Sequence, residues 1–329
     1  MFNGASILIT GGTGSFGKNC TKHLLANYDV KKIIIFSRDE YKQFMFKQEL
    51  PDHRLRFFVG DVRDKYRLKR AFDGVDYVLH AAAMKQVPTC EYNPIEAIKT
   101  NVDGATNVVE AALDAGVKKV IALSTDKAVN PINLYGGTKL LSDKLFIAAN
   151  SYAGGKGTTF AIVRYGNVAG SRGSVIPYFQ NLVKNGIRNL PITDQRMTRF
   201  WIGIDNGIEL VMKALEFSRG GETFVSKIPS FKVTDLARAI LPDCGFDEIG
   251  IREGEKLHEI MITKADAKFT REFDDYYVIY SHLDIDHVST VLKSSGKELP
   301  EGFSYSSDSN TWWLGVDELS ELCQNIKII

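Results

Sequence analysis

The apolar run Ser6-Ile-Leu-Ile-Thr10 stops at Gly11-Gly-Thr-Gly-Ser-Phe-Gly17, and a helical pattern follows through Leu24 and Leu25. Strand, glycine turn and helix in that order leave few choices of fold. Glycine lets the backbone approach a pyrophosphate closely, and the helix behind it presents free N–H groups and a favourable dipole. A tight turn alone would also use glycines. Their place between the first strand and a helix makes this a dinucleotide site. The residues read as its contacts are Gly11, Thr13, Gly14, Ser15, Phe16 and Gly17.

The alternation then repeats. Apolar runs at residues 32–36, 55–59, 77–80, 118–123 and 159–164 are separated by helical patterns. Among these, 94–115 reads as one long helix and 135–149 as another. Such alternation predicts an α/β fold, a Rossmann-type doubly wound parallel sheet with right-handed crossovers. Its ligands bind past the carboxyl ends of the strands. After the second strand come Ser37, Arg38, Asp39 and, one turn on, Lys42. An acidic residue here would bond a ribose 2′-hydroxyl, whereas a basic one pairs with a 2′-phosphate. Arg38 and Lys42 favour NADP over NAD, while Asp39 and Glu40 complicate the choice because one of them can cap the next helix. Asp61, followed by Val62, reads either as an adenine contact or as a turn cap. Ala81 and its neighbouring alanines would let a cofactor lie flat. His80 reads as a core or strand-end histidine.

Residues 124–139, Ser-Thr-Asp-Lys-Ala-Val-Asn-Pro-Ile-Asn-Leu-Tyr-Gly-Gly-Thr-Lys, hold the reactive groups. Tyr135 and Lys139 are spaced to share a helix face. A phenol beside an ammonium ionises more easily, and the Thr125 hydroxyl can share the proton. That trio suits proton removal from an alcohol during oxidation. Asp126 and Lys127 are surplus to a plain dehydrogenase, although on spacing alone they could be a surface ion pair.

Beyond residue 166 the texture changes to a loop rich in small residues, then mixed elements. Helices are expected at 175–183, 205–217 and 232–241, and a charged loop-to-helix segment at 250–259. The organisation expected is a Rossmann domain over 1–166, with 200–218 returning to it, and a smaller mixed α/β substrate-binding domain over 167–329. Basic and acidic residues number 41 and 40, for a net charge of +1. This balance supports neither a nucleic-acid nor a membrane-surface role. No run approaches the ~18 apolar residues of a membrane span, and the N-terminus lacks a basic leader with an apolar signal region. A soluble cytoplasmic protein is the expectation. Cys20, Cys90, Cys244 and Cys323 are widely spaced and read as free thiols, with no metal-ligand pattern.

The glycine pattern, Thr125, Tyr135 and Lys139 together resemble the extended short-chain dehydrogenase/reductases. Arg199 in Met-Thr-Arg-Phe-Trp and Arg252 in Gly-Ile-Arg-Glu-Gly-Glu-Lys resemble the nucleotide-sugar branch. Ser-Thr-Asp-Lys-Ala, Arg-Tyr-Gly-Asn-Val and Gly-Ser-Arg-Gly-Ser-Val resemble the inverting UDP-N-acetylglucosamine 4,6-dehydratases. Gln86 and Gly137 depart from the family, which usually has histidine and alanine there. The resemblance implies NADP as cofactor and UDP-N-acetylglucosamine as substrate. The sugar would be held by Lys85, Asn167, Val168, Arg172, Val175, Arg199 and Arg252. It implies that Tyr135, with Lys139 and Thr125, deprotonates the 4-hydroxyl, that Lys127 is the carbon 5 base and that Asp126 is the acid for the leaving hydroxyl. Burial and the charges of Lys85 and Lys139 are expected to lower the Lys127 pKa, against Asp126. The short members of the group start pseudaminic acid biosynthesis for flagellin glycosylation in bacteria. A homo-oligomer is implied, with a hexamer the candidate assembly. A UDP-sugar 4-epimerase, a retaining dehydratase and a catalytically silent NADP-binding scaffold are the competing readings.

Overall fold

The structure, a computed structural model, describes residues 2–154, 157–170, 174–281, 294 and 296–325. The first part runs β1 (Ser6–Thr10), α1 (Ser15–Asn27), β2 (Lys32–Ser37), α2 (Glu40–Glu49), β3 (Leu55–Val59), α3 (Lys65–Phe72), β4 (Tyr77–His80), α4 (Val87–Tyr92), α5 (Pro94–Ile98), α6 (Gly104–Ala115), β5 (Lys119–Thr125), α7 (Leu134–Ala149) and β6 (Thr159–Tyr165). The rest runs α8 (Val175–Lys184), β7 (Asn189–Ile192), β8 (Thr198–Phe200), α9 (Ile204–Phe217), β9 (Thr223–Ser226), β10 (Ser230–Lys232), α10 (Val233–Ile240), β11 (Gly245–Glu248), β12 (Ile260–Ile262), β13 (Thr270–Glu272), β14 (Tyr276–Ile279), β15 (Lys297–Glu298) and β16 (Tyr305–Ser306).

Among the described residues the main sheet has the order β15-β13-β14-β9-β6-β5-β4-β1-β2-β3. Pairings from β3 across to β9 are parallel, and β14, β13 and β15 continue the sheet antiparallel. The stretch β3-β2-β1-β4-β5-β6 is the dinucleotide-binding order, with its reversal between β1 and β4. Strand alternation sends successive side chains to opposite faces. Thus Ile7 and Ile9 join Phe16, Cys20 and Leu24 of α1 and Ile208 and Val211 of α9 on one face. Leu8 points the other way, into a cluster with Phe72, Val108, Val109 and Phe146. Burial on both faces is why these strands read as near-continuous apolar runs. The C-terminal elements have their own clusters, one around Trp201, Phe231 and Leu236 and one around Phe179, Leu190 and Met197. Helix α9 instead packs on the sheet with the first cluster. All four cysteines are free, three buried and Cys244 half-buried. Among the described residues no helix is long and apolar enough to cross a membrane.

Two expectations need correction. The span 94–115 is not one helix: α5 and α6 are joined by a widened π-type turn at Lys99–Asp103. Such turns occur where a side chain must be re-aimed, and Asn101 within it bonds away from its own helix. The segment 250–259 leads into strand β12, not into a helix. Gly250 and Gly254 there have positive φ, 82° and 74°, which no helix interior uses.

Two adjacent glycines at the start of α7 do opposite things. A Cβ on Gly136 would lie 2.1 Å from the Lys127 carbonyl oxygen, whereas one on Gly137 would meet nothing within 4 Å. Gly137→Ala is therefore expected to stabilise the protein by up to about 1 kcal/mol through helix propensity. Gly136→Ala is expected to destabilise it by about 1–3 kcal/mol through overpacking. Urea-unfolding midpoints of the two variants check both signs.

Candidate active site

A cleft of about 520 Å³ opens at the carboxyl ends of β1, β2, β3, β4, β5 and β6. Its first wall is the glycine turn. Gly11 has φ +65°, and a Cβ there would lie 3.0 Å from the Ala81 backbone. A Cβ on Gly17 would lie 2.5 Å from the Gly12 Cα. Only glycines let turn, helix and strand close up this far. The N-cap of α1 is Gly14, so no side chain covers the helix N–H groups. Donors exposed in a tight glycine cradle fit a dinucleotide pyrophosphate.

All the cofactor residues read from the sequence line this cleft, Ser37, Arg38, Asp39, Lys42, Asp61, Val62 and Ala81 included. Their current partners are specific. Asp39 caps α2 by accepting from the Lys42 N–H, and its carboxylate pairs with the Lys42 ammonium at 2.8 Å. Asp61 accepts from the Arg63 backbone and side chain, and Arg38 lies 3.8 Å away. Asp61 is thus a turn cap that also faces the cleft. His80 bonds the Thr10 hydroxyl at 2.8 Å, and that oxygen accepts from the Ala81 and Ala82 N–H groups. Burial first, then the Lys139 charge, pushes the imidazole pKa down to about 3. His80 is neutral and holds the end of β4.

Opposite, β5 ends at Thr125 and turns at once into a short 3₁₀ helix, Asp126–Ala128. Asp126 and Lys127 therefore lie on a tight turn, not on a strand end. Asp126 is 1% exposed. Its Oδ1 accepts from the Thr125 hydroxyl at 2.8 Å and from Lys127 Nζ at 3.2 Å. Lys127 Nζ also donates to Asn167 Oδ1 at 3.1 Å and pairs with Glu259 at 3.3 Å. Thr125, Lys127, Tyr135 and Lys139 all line the cleft, while Asp126 sits just behind it. Gly166 packs closely here, since a Cβ there would lie 3.1 Å from Phe200 Cβ and 3.3 Å from Met261 Cε.

The electrostatics reverse two expectations, the downward shift of Lys127 and the easier ionisation of Tyr135 beside Lys139. Burial does oppose the charge on Lys127, but Asp126 and Glu259 outweigh it and the pKa moves up. Lys85 does not lower it enough to matter; instead the Lys85 pKa falls, from lost solvation and then from the Lys127 charge. Burial pushes the Tyr135 phenol up to about 12, against the Lys127 charge and a side-chain hydrogen bond with Thr125. Lys139 is buried and its pKa falls for that reason, opposed by Asp143 one turn along α7. Asp143 in turn accepts from Ser124 at 2.6 Å. Tyr135 thus feels the Lys127 cation, while the nearest countercharge of Lys139 is Asp143.

The sugar-binding residues divide. Lys85, Asn167 and Val168 line the cleft. Val175 does not; it packs between the two C-terminal clusters. Arg199 does not line it either, because its fork is spent on the Thr198 and Leu257 carbonyls and on Glu255. Arg252 lies on an exposed loop away from the cleft lining. Arg172 lies outside the described residues. Sequence reasoning passed over Gly136, Asp143 and Glu259. Only Asp143 left a local signal, its place one helical turn after Lys139.

A dinucleotide cradle on a doubly wound sheet, joined to a threonine, tyrosine and lysine at the strand ends, defines a nucleotide-binding oxidoreductase-type fold. A family model described as "Polysaccharide biosynthesis protein" matches residues 7–281. The chain belongs to this family, within the extended short-chain dehydrogenase/reductases. It is 55% identical to a UDP-N-acetylglucosamine 4,6-dehydratase (inverting) of Campylobacter jejuni, over 98% of both chains. It is 41% identical to a UDP-glucose 4-epimerase of Rickettsia canadensis, over 100% of this chain and 98% of that one. Among solved structures it matches Pen from Bacillus thuringiensis with a TM-score of 0.90 and 37% identity, over 99% and 98% of the chains.

Asn101 ties the cleft floor together. Its side chain accepts from the Met84 N–H at 2.8 Å and donates to the Met84 carbonyl and to Thr138. Asn101→Ala would leave buried polar groups unpaired. It is expected to cost about 1–3 kcal/mol, measured by denaturant unfolding.

Proposed function

We propose that this chain is an NADP-dependent UDP-N-acetylglucosamine 4,6-dehydratase that inverts carbon 5. Its product would be UDP-2-acetamido-2,6-dideoxy-β-L-arabino-hex-4-ulose. The observation that carries this reading is the Asp126–Lys127 pair, a buried carboxylate bonded to a half-buried lysine that lines the cleft with Thr125 and Tyr135. The 55% identical relative of that name supports it.

When bound, the dinucleotide supplies the hydride acceptor and donor of the internal redox cycle. Tyr135 takes the proton of the 4-hydroxyl as the phenolate, with Thr125 and Lys139 lining the same cleft. The 4-ketone acidifies the hydrogen on carbon 5. Lys127 takes that proton as an amine, and Asp126 protonates the leaving 6-hydroxyl so that water departs. The 3.2 Å contact between Lys127 and Asp126 lets the pair pass a proton. Lys85 and Asn167 line the cleft where the sugar would sit, and Arg199 and Arg252 would reach the diphosphate only by exchanging or moving from their present positions. Arg38 and Lys42 would hold the 2′-phosphate, beside Ser37. The product would enter pseudaminic acid biosynthesis for flagellin glycosylation, in a homo-oligomeric enzyme.

A UDP-sugar 4-epimerase is the second reading, and the 41% identical Rickettsia relative favours it. Epimerisation uses the threonine, tyrosine and lysine but needs no acid–base pair for water loss. Proton NMR with UDP-N-acetylglucosamine in deuterated water separates the two. A new 6-methyl signal with deuterium at carbon 5 and L-arabino couplings is expected. An intact 6-hydroxyl with galacto couplings would mean epimerase. Lys127→Ala is expected to abolish the methyl signal and carbon 5 exchange while NADP binding persists, and retained turnover would reject the assignment. Arg38→Ala is expected to raise KM for NADP about tenfold, the loss of one charged hydrogen bond, with KM for NAD nearly unchanged. Initial-rate kinetics with both dinucleotides check this.

A further inference from the structure

Glu259 lies immediately before β12, far along the chain from the reactive turn, yet its carboxylate is at the centre of the site's charges. It is 2% exposed. Its Oε1 is 3.3 Å from Lys127 Nζ and 4.0 Å from Arg199 Nε. Its Oε2 is buried and has no hydrogen-bond partner among the described residues. Its backbone is held in turn, the N–H donating to Ser307 Oγ at 2.9 Å, and that hydroxyl bonds Thr198 at 2.7 Å. A buried carboxylate with one oxygen unused is costly unless its charge is needed.

We propose that Glu259 is a positioning residue of the dehydration centre, pinning the Lys127 side chain at the cleft wall together with Asp126. This rests on the reading of Lys127 given above. Two carboxylates and the Asn167 amide oxygen then surround one Nζ, so the amine cannot swing away from the cleft. Among the described residues, the titratable groups facing it are these. Asp126 is on its own turn, Glu259 immediately before β12, Arg199 on β8 and Tyr135 on α7. Lys85 faces it from the segment after β4, and Lys256 from the loop before β12. The carboxylates win, so the resting group is an ammonium. The consequence for catalysis is a trade. A lysine held this way is a stronger base but is present as free amine in a smaller fraction at neutral pH. Once it has taken the carbon 5 proton it keeps it in the site, next to Asp126.

The test is the pH dependence of kcat in Glu259→Gln, which keeps the shape and removes the charge. With one carboxylate gone the Lys127 pKa falls. The rising limb of kcat, which follows the free amine, then moves to lower pH by on the order of one unit or more. Glu259→Asp, which keeps the charge, is expected to leave the limb near its original position. A purely structural role would lower kcat at every pH and leave the limb in place, and that result would overturn the proposal. Carbon 5 exchange in deuterated water, with NADP binding as a folding control, is read in the same variants. An unmoved limb in Glu259→Gln, with exchange lost in Lys127→Ala, overturns this inference alone. Exchange retained in Lys127→Ala overturns the Lys127 reading and the inference with it.

Discussion

The site depends on one close approach, between the N-terminus of α7 and the turn that follows β5. Gly136 has no side chain, so its backbone can rest against the Lys127 carbonyl oxygen. That contact brings Tyr135, the residue before it, to the same cleft as Thr125 and Lys127. Any larger residue would wedge helix and turn apart and separate the phenol from its hydroxyl and ammonium neighbours. The helix cap makes the same connection: Asn133 accepts from the Gly136 N–H and donates to the Gly254 carbonyl. The loop that leads to Glu259 is thereby tied to the start of the catalytic helix.

Three cations of the site, Lys127, Arg199 and Lys139, each face a carboxylate. Asp126 and Glu259 face Lys127, Glu255 faces Arg199, and Asp143 faces Lys139. Each buried cation has a carboxylate beside it, as burial requires. The pairing also explains why the ionisable groups do not share one direction of shift. Where the carboxylates outweigh burial, as at Lys127, the ammonium is favoured. Where burial outweighs the partner, as at Lys139 and Tyr135, the neutral form gains. Arg199, whose two terminal nitrogens both donate inside the protein, stabilises the far side of the same network.

Much of this was legible along the chain. The apolar runs match β1 to β6 within a residue or two, because both faces of the sheet are covered and most positions are apolar. The glycine turn lines the cleft as its spacing suggests. Errors arose where local pattern and tertiary contact disagree. The run from Pro94 to Ala115 has helical periodicity throughout, but Asn101 bonds to Met84 and Thr138 and opens the turn. Spacing also says nothing of the present surroundings of Val175, packed against a hydrophobic cluster, or of Arg199, held in an ion-pair network.

By itself the sequence determined the layering of the sheet, the dinucleotide cradle and the set of groups at residues 124–139. These depend on period, on glycine and on short spacings, which are local properties of a chain. Only the tertiary structure decided which charges meet. Glu259 reaches Lys127 because β12 is carried to the reactive turn by the packing of the C-terminal elements, and no spacing along the chain records that approach. The sign of the Lys127 shift follows from it, since a pKa depends on distance through space and on solvent exclusion rather than on neighbours in sequence.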